Sequence, residues 1–383
     1  MFIHHVKVSG LLSFGPNGLD LALHPLNVLI GPNGSGKSNL LEVLALLRAA
    51  PSNLATPVKE VGGIDEWLWK GHGSLRDAFV EVLVNGRNDQ PAVRHGLEIT
   101  EHGRRFEVVD EWIETGSPRP DTDFYYRFNH GQPVLMGQGG AVREMKRESI
   151  HPEESILSQV RDPEAYPVLF SLQERYAKIR LYRNWSFGPA APWRGEQSTH
   201  ARGDLLRDGG ENLVQVLFNL HSRIPRELIA SLRKLFEGIE DLTFSLGGGN
   251  VQLFLKEDGK EIPASRLSDG TLRYLALLAI LLHPDPPPVL AIEEPELGLH
   301  PDVIPHIAEL LVRASTRTQL VVTTHSRMLV DALSDQPSSV VVCEQENGAS
   351  RFRRLEAEPL RAWLDEYSLG TLWSMGQLGG NRW

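Results

Sequence analysis

The stretch Gly31-Pro-Asn-Gly-Ser-Gly-Lys37-Ser38 constrains this chain more than any other. It lies between an apolar run, Leu26-Asn-Val-Leu-Ile30, and a second, Asn39-Leu-Leu-Glu-Val-Leu-Ala-Leu-Leu47, so a strand should enter it and a helix leave it. The glycines let successive backbone N–H groups curl around a phosphate. Lys37 supplies a compact positive charge for the β and γ oxygens, and Ser38 a hydroxyl suited to Mg²⁺. The helix beginning near Gly36 points its positive end at the same anion. A Gly-rich turn that merely precedes a helix would lack the strand on its other side. A nucleoside triphosphate site is therefore expected, with Asn33, Gly34, Ser35, Gly36, Lys37, Ser38 and Asn39 as its contacts.

The rest of such a site must lie downstream, and three stretches qualify. In Val289-Leu-Ala-Ile-Glu293-Glu294-Pro-Glu296, a buried strand ends in carboxylates. Glu293 suits a magnesium ligand, and Glu294 a general base that polarises the attacking water. The alternative, acidic residues opening the next helix, fits Glu296 better than the pair. In Ser265-Arg-Leu-Ser268-Asp269-Gly270-Thr271, ahead of a strongly apolar helix, Ser268 and Gly270 make a second anion cradle. On spacing alone, a helix N-cap at Ser268 or Asp269 is the stronger reading. Finally, Leu320-Val-Val-Thr-Thr-His325-Ser326 delivers an imidazole at a strand end, where it can sense a terminal phosphate or simply be structural.

Composition narrows the setting. A chain of 383 residues makes two domains or one large α/β domain with insertions. Its net charge of -10 argues against a globally basic nucleic-acid coat and leaves a local basic groove open. No apolar run approaches the ~20 residues that span a bilayer, so no membrane partner is expected. The opening Met1-Phe-Ile-His-His-Val-Lys-Val8 reads as a first strand rather than a secretory signal. The single cysteine, Cys343, forms no internal disulfide and fits a reducing cytoplasm.

Patterning along the chain predicts strands over 2–8 and 19–30, a helix from 37 to about 48, and an antiparallel sheet over 77–129. Residues 130–150 read as a mobile connection and 153–178 as broken helices. A short strand ends at Tyr182, and 183–210 form a long loop. Helices over 212–221 and 225–238 and a hairpin over 242–255 lead into strand–helix alternation from 289 to 343, the rhythm of a parallel sheet.

Taken in order, GPNGSGKSN, LSDGT, VLAIEEPELGLHP and VVTTHS resemble the ATP-binding-cassette ATPases, in particular their soluble RecF/SMC/OLD-like branch. The resemblance covers most of the chain. It implies an α/β P-loop NTPase fold of ABC ATPase head type, with a mixed/parallel core sheet, an antiparallel β subdomain and an inserted helical lobe. Residues 1–130 would form the phosphate-loop part, 131–240 the mainly helical lobe and 241–383 the remaining core. It also implies ATP and Mg²⁺, and a homodimer that closes head to tail around two ATP molecules. By position, Lys37 and Ser38 would be the loop lysine and magnesium hydroxyl, Glu293 the magnesium-side acid, Glu294 the catalytic base and His325 the switch histidine. Ser268 and Gly270 would complete the partner's site, and Leu297-Gly-Leu-His-Pro301 matches a subunit-contact segment.

Two departures stand out. Glu293 replaces the usual Asp, and the lobe-linking glutamine has no clear motif; Gln159, Gln138 and Gln132 are candidates, with Gln159 ranked first as a magnesium ligand. LSDGT differs from the LSGGQ of transporters, no heptad arms appear, and no acidic cluster at metal-binding spacing follows His325. The resemblance therefore points to a bare head without a nuclease. Two functions follow. One is a DNA-associated ATPase of repair or maintenance, supported by Tyr182, Arg183, Asn184, Trp185, Phe187, Trp193, Arg194 and Arg202, which interleave aromatics and cations as a strand-binding surface does or as a packed core does. The other is a nucleotide-gated regulator of a separately encoded effector, nuclease or toxin, as in genome defence. Trp363, Trp373 and Trp383 would dock such a partner or cap the core.

Overall fold

Period-two alternation fixes the first sheet. In Asp77–Val84 the side chains of Ala78, Val80, Val82 and Val84 are buried and those between them are not. The computed structural model, which describes residues 1–71, 77–86, 91–103, 105–116, 124–129, 131–183, 185, 188, 191–200 and 203–380, places this strand in an eight-stranded antiparallel sheet. The spatial order is Leu19–Ala22, Ile3–Ser9, Asp77–Val84, Val93–His102, Arg105–Thr115, Phe124–Asn129, Gln132–Met136 and Val142–Glu144. The N-terminal hairpin joins one edge, where Lys7 stands opposite both Asp20 and Glu81.

The segment read as a mobile connection instead continues the meander at the other edge. Val134 pairs with Arg127 on one side and Glu144 on the other. Its glycines sit at turns, Gly131 at φ 81° and Gly139 at φ 77°, where a left-handed backbone is needed.

Contacts gather the chain into two compact units. The first comprises Met1–Ile179, Ser338–Glu356 and Gly376–Trp383. In it Leu26–Ile30, buried at every residue, runs parallel to Val340–Glu346, and Ala349–Arg354 returns antiparallel. A strand covered on both faces needs a continuous apolar run. Asn27 is the polar exception, and it is fully satisfied at the strand's start. Its Oδ1 accepts from His24 N at 2.8 Å and Arg354 Nη2 at 2.7 Å, and its Nδ2 donates to His24 O at 2.6 Å. A second buried polar cluster ties the short helix Ile156–Gln159 to the large sheet. Glu111 accepts from Ser155 Oγ at 2.5 Å and Ile156 N at 2.7 Å, and lies 3.1 Å from His95 Nε2, whose Nδ1 is 3.0 Å from the Tyr176 hydroxyl.

The second unit comprises Arg180–Pro337 and Ala357–Met375. Its strand Val289–Glu293 lies between Arg180–Tyr182 and Gln319–Thr324, all parallel. The helix Asp269–Leu281, buried from Leu272 onward, and the amphipathic helix Ile304–Ser315 belong to the same unit. The hairpin Ile239–Gly247 and Asn250–Glu257 is extended by Lys260–Pro263 and by Gln197–Ser198.

The stretch 183–210 is largely irregular, as expected, yet its aromatics pack inward. Trp193 is fully buried, and a Cβ on Gly210 would come within 1.9 Å of its ring. Tyr182 is buried with its hydroxyl donating to Leu206 O at 2.8 Å, and Trp185 stacks on it at 5.9 Å. Tyr182 and Trp193 are thus packed away from solvent; Asn184, Phe187 and Arg202 lie outside the described residues. At the other end of the chain Trp373 is buried and Trp363 is exposed, and Trp383 lies outside the described residues. Among the described residues no helix is long and apolar enough to cross a membrane.

Candidate functional site

The phosphate loop is shaped by two glycines that nothing else could replace. Gly31 has φ 149°, and a Cβ there would sit 2.1 Å from Cys343 O. Gly36 has φ 92°, and a Cβ would meet Ser350 Oγ at 2.1 Å and Ser13 Oγ at 2.6 Å. Ser13 is the floor of the loop: Asn39 Nδ2 and Ser350 Oγ each donate to its hydroxyl at 2.6 Å, and its carbonyl accepts from Ser350 N at 2.8 Å. Sequence reasoning missed both serines, because each lies far from the motif and carries no pattern of its own.

The cradle's chemistry fits a triphosphate. Lys37 is buried, with Nζ donating to Gly31 O at 2.8 Å and Pro32 O at 2.9 Å, so its ammonium is held against the loop. Ser35 Oγ is buried without a hydrogen-bond partner, an orphaned donor inside the curl. The helix Lys37–Ala49 has no side-chain cap on its first N–H groups, and Ser38, Asn33 and Gly34 are exposed. Burial pushes the Cys343 thiol far up, so the one cysteine behind the loop is an inert packing group.

In the second unit, the carboxylates end the strand Val289–Glu293. Glu293 stands in register with Thr323, and the chain then breaks at Glu294, which adopts φ 46°. That is a strained conformation for a glutamate, costing about 1–3 kcal/mol, and it persists because the backbone is held on both sides. Glu294 N donates to Thr323 O at 3.0 Å, and its carbonyl accepts from Arg273 Nη2 at 2.6 Å. His325 Nε2 lies 3.7 Å from Glu294 Oε1. Burial lowers Arg273 to about 10, against the pull of Glu296 and Glu294, so it stays charged at neutral pH.

Glu296 does not cap a helix. Its Oε1 accepts from Thr324 Oγ1 at 2.6 Å and His325 N at 3.0 Å, fixing the turn that presents the histidine. The two threonines ahead of His325 were the available signal for this. One supplies a backbone partner to Glu294, the other a hydroxyl to Glu296.

Ser268 is the N-cap of Asp269–Leu281, accepting from Thr271 N at 3.0 Å. It also stands on the wall of a cavity of about 600 Å³ lined by Gly270, Thr271, Phe236, Leu299 and His300, among others. Gly270 must be glycine, since a Cβ would come 2.7 Å from Gly298 O. The Asp269 carboxyl is held below the usual range, first by its bond to Arg194 and then by Gly188 N–H.

Gln159 is occupied locally. Its Oε1 accepts from His151 N at 2.8 Å, and its Nε2 donates to Glu154 O at 3.2 Å and Ser155 O at 3.3 Å. Gln132 opens the strand next to the edge of the large sheet, and Gln138 starts a short 3-10 turn.

A family model described as "AAA domain, putative AbiEii toxin, Type IV TA system" matches residues 26–331. The YbjD protein of Escherichia coli K12, described as uncharacterised, is 26% identical over 347 residues, covering 81% of this chain and 57% of that protein. The chromosome partition protein Smc of Synechocystis is 22% identical over 157 residues, 40% of this chain and 13% of its own. The chain thus spans little more than half of the first relative and a small part of the second. Among solved structures, an Smc head bound to the C-winged helix domain of ScpA matches with a TM-score of 0.60 at 15% identity, covering 94% of this chain and 99% of that one. An Smc head with an extended coiled coil bound to the C-terminal domain of ScpA, from Pyrococcus furiosus, matches with a TM-score of 0.57 at 14% identity, covering 95% and 99%.

Proposed function

The chain belongs to this AAA-domain family and has the fold of an ABC-class P-loop ATPase head of the SMC/RecF-like branch, and on that footing we propose that it binds and hydrolyses ATP. Two copies would close head to tail around two ATP molecules, Ser268 and Gly270 of one copy meeting the nucleotide held by the phosphate loop of the other. The exposed cavity beside Ser268 and Gly270 supports that arrangement.

In the proposed site the loop N–H groups and the helix N-terminus receive the phosphates, Lys37 offsets their charge, and the Ser35 hydroxyl gains the acceptor it lacks. Ser38 and Glu293 would hold Mg²⁺, which neutralises charge building on the β and γ oxygens. Gln159 would have to release its bonds around His151–Ser155 to join them. Glu294 would polarise the attacking water, and His325, whose Nε2 lies 3.7 Å from Glu294 Oε1, would read the terminal phosphate.

The observation that carries hydrolysis rather than binding alone is Glu294 itself, a carboxylate turned out of its strand by a strained backbone and aimed beside a histidine. Glu294→Gln should lower ATP turnover by at least about a hundredfold while ATP binding persists and light scattering shows an ATP-trapped dimer. Unchanged turnover would overturn the assignment.

For the cell, we favour a nucleotide-gated cytoplasmic regulator of a separately encoded effector in genome defence. The inward packing of Tyr182 and Trp193 favours it over direct DNA binding in repair or maintenance. So does the family's description, which names a toxin–antitoxin system.

A further inference from the structure

The stretch 183–210 turns a cation inward as well as its aromatics, and spends it on the LSDGT segment. Arg194 follows the buried Trp193, and its own side chain is 12% exposed. Its Nε donates to Gly188 O at 2.9 Å. Its Nη1 donates to Leu267 O at 2.6 Å and, at greater length, to Ser265 O at 3.3 Å. Its Nη2 donates to the Asp269 carboxylate, whose Oδ1 also accepts from Gly188 N at 3.1 Å. One planar fork therefore grips backbone carbonyls on one side of Ser268 and a side-chain carboxylate on the other. A lysine, with a single point charge, could not hold both. The aspartate that sets LSDGT apart from LSGGQ has a specific mate.

We infer that Arg194 is a positioning residue: its grip on Ser265–Asp269 fixes the orientation in which Ser268 Oγ and the Gly270 backbone meet the ATP of the partner copy. The inference rests on the composite-site reading above and adds to it the part of the chain that sets the geometry of the second half-site. The residues of the grip all belong to the second unit and none to the phosphate-loop motif, so binding of ATP to a single copy should be indifferent to it.

The test uses the full chain and complementation between variants. Arg194→Ala should lower ATP turnover about tenfold or more, as expected for losing a charged hydrogen-bonded fork, with the affinity of a fluorescent ATP analogue for the monomer unchanged. Arg194→Lys should not restore turnover. Lys37→Ala, which disables the phosphate loop, is inactive alone. Mixed with Arg194→Ala, head-to-tail pairing leaves one composite site with both halves intact, and turnover should rise severalfold above either variant. Ser268→Arg mixed with Lys37→Ala is the reference pair. Wild-type turnover in Arg194→Ala overturns the inference. So does a loss that Lys37→Ala fails to rescue while the reference pair is rescued, because the residue would then act on folding. If the reference pair itself shows no rescue, the composite-site reading fails and takes the inference with it.

Discussion

At Gly36 a missing side chain is a structural requirement that can be read to the atom. Two hydroxyls, from Ser13 and Ser350, occupy the space a Cβ would need, and the backbone is left-handed. Gly36→Ala should therefore lose ATP binding and lower stability by about 1–3 kcal/mol, measured by nucleotide titration and thermal melting. Adding Ser350→Ala should recover only part of the loss, because Ser13 Oγ still stands 2.6 Å from the new Cβ and the left-handed φ remains. Full recovery would show that the Ser350 hydroxyl alone excluded the side chain. At this scale the motif residues were legible because they are contiguous and each type has one use. Ser13, Ser350, Glu296 and Arg273 were not, since what marks them is proximity in space, and a serine or glutamate on a turn carries no periodicity to betray it.

Among elements, the eight-stranded antiparallel sheet shows where pattern informs and where it stops. The strands over 77–129 announced themselves by buried alternation. Val142–Glu144 could not, because all three of its residues are exposed and an edge strand without an inner face has nothing to alternate. The same sheet carries a strained charge pair. Glu98 stands directly across from Asp110, and Asp110 Oδ1 is buried without a partner. Burial raises both carboxyls above their ordinary values, with Asp77 and then Asp110 adding to the rise at Glu98 and Glu111 adding to it at Asp110. Since the folded values exceed the unfolded ones, the stability these groups contribute is fully present below the unfolded carboxylate range and lost as pH rises through the folded values. Asp110→Asn should raise stability at pH 7 by about 0.5 kcal/mol. The gain should vanish on acidification to about pH 4, as melting temperatures at the two pH values would show. An equal gain at both pH values would mean that the charges do not repel.

For the whole molecule, the net charge of -10 and the inward aromatics of 183–210 argue in one direction. Titration of labelled duplex and single-stranded DNA with ATP present should show no binding that strengthens as salt falls, the behaviour phosphate contacts produce. Salt-sensitive binding would restore the DNA reading. The alternation of strand and helix from 289 to 343 made the fold class legible, because parallel strands buried on both faces are written as uninterrupted apolar runs. The purpose of 183–210 was not legible: tryptophan, tyrosine and arginine are the vocabulary of a nucleic-acid surface and of a packed core alike, and only burial separates them.

The floor beneath Gly36 also bears on where a working fragment may be cut. Ser13 lies ahead of the residues matched by the family model and Ser350 beyond them. A protein trimmed to 26–331 would keep every motif and lose both hydroxyls, together with Val340–Glu346, the strand that pairs with Leu26–Ile30 ahead of the loop. The minimal nucleotide-binding piece is thus set by where the chain's distant segments return, and its boundaries are wider than its signature.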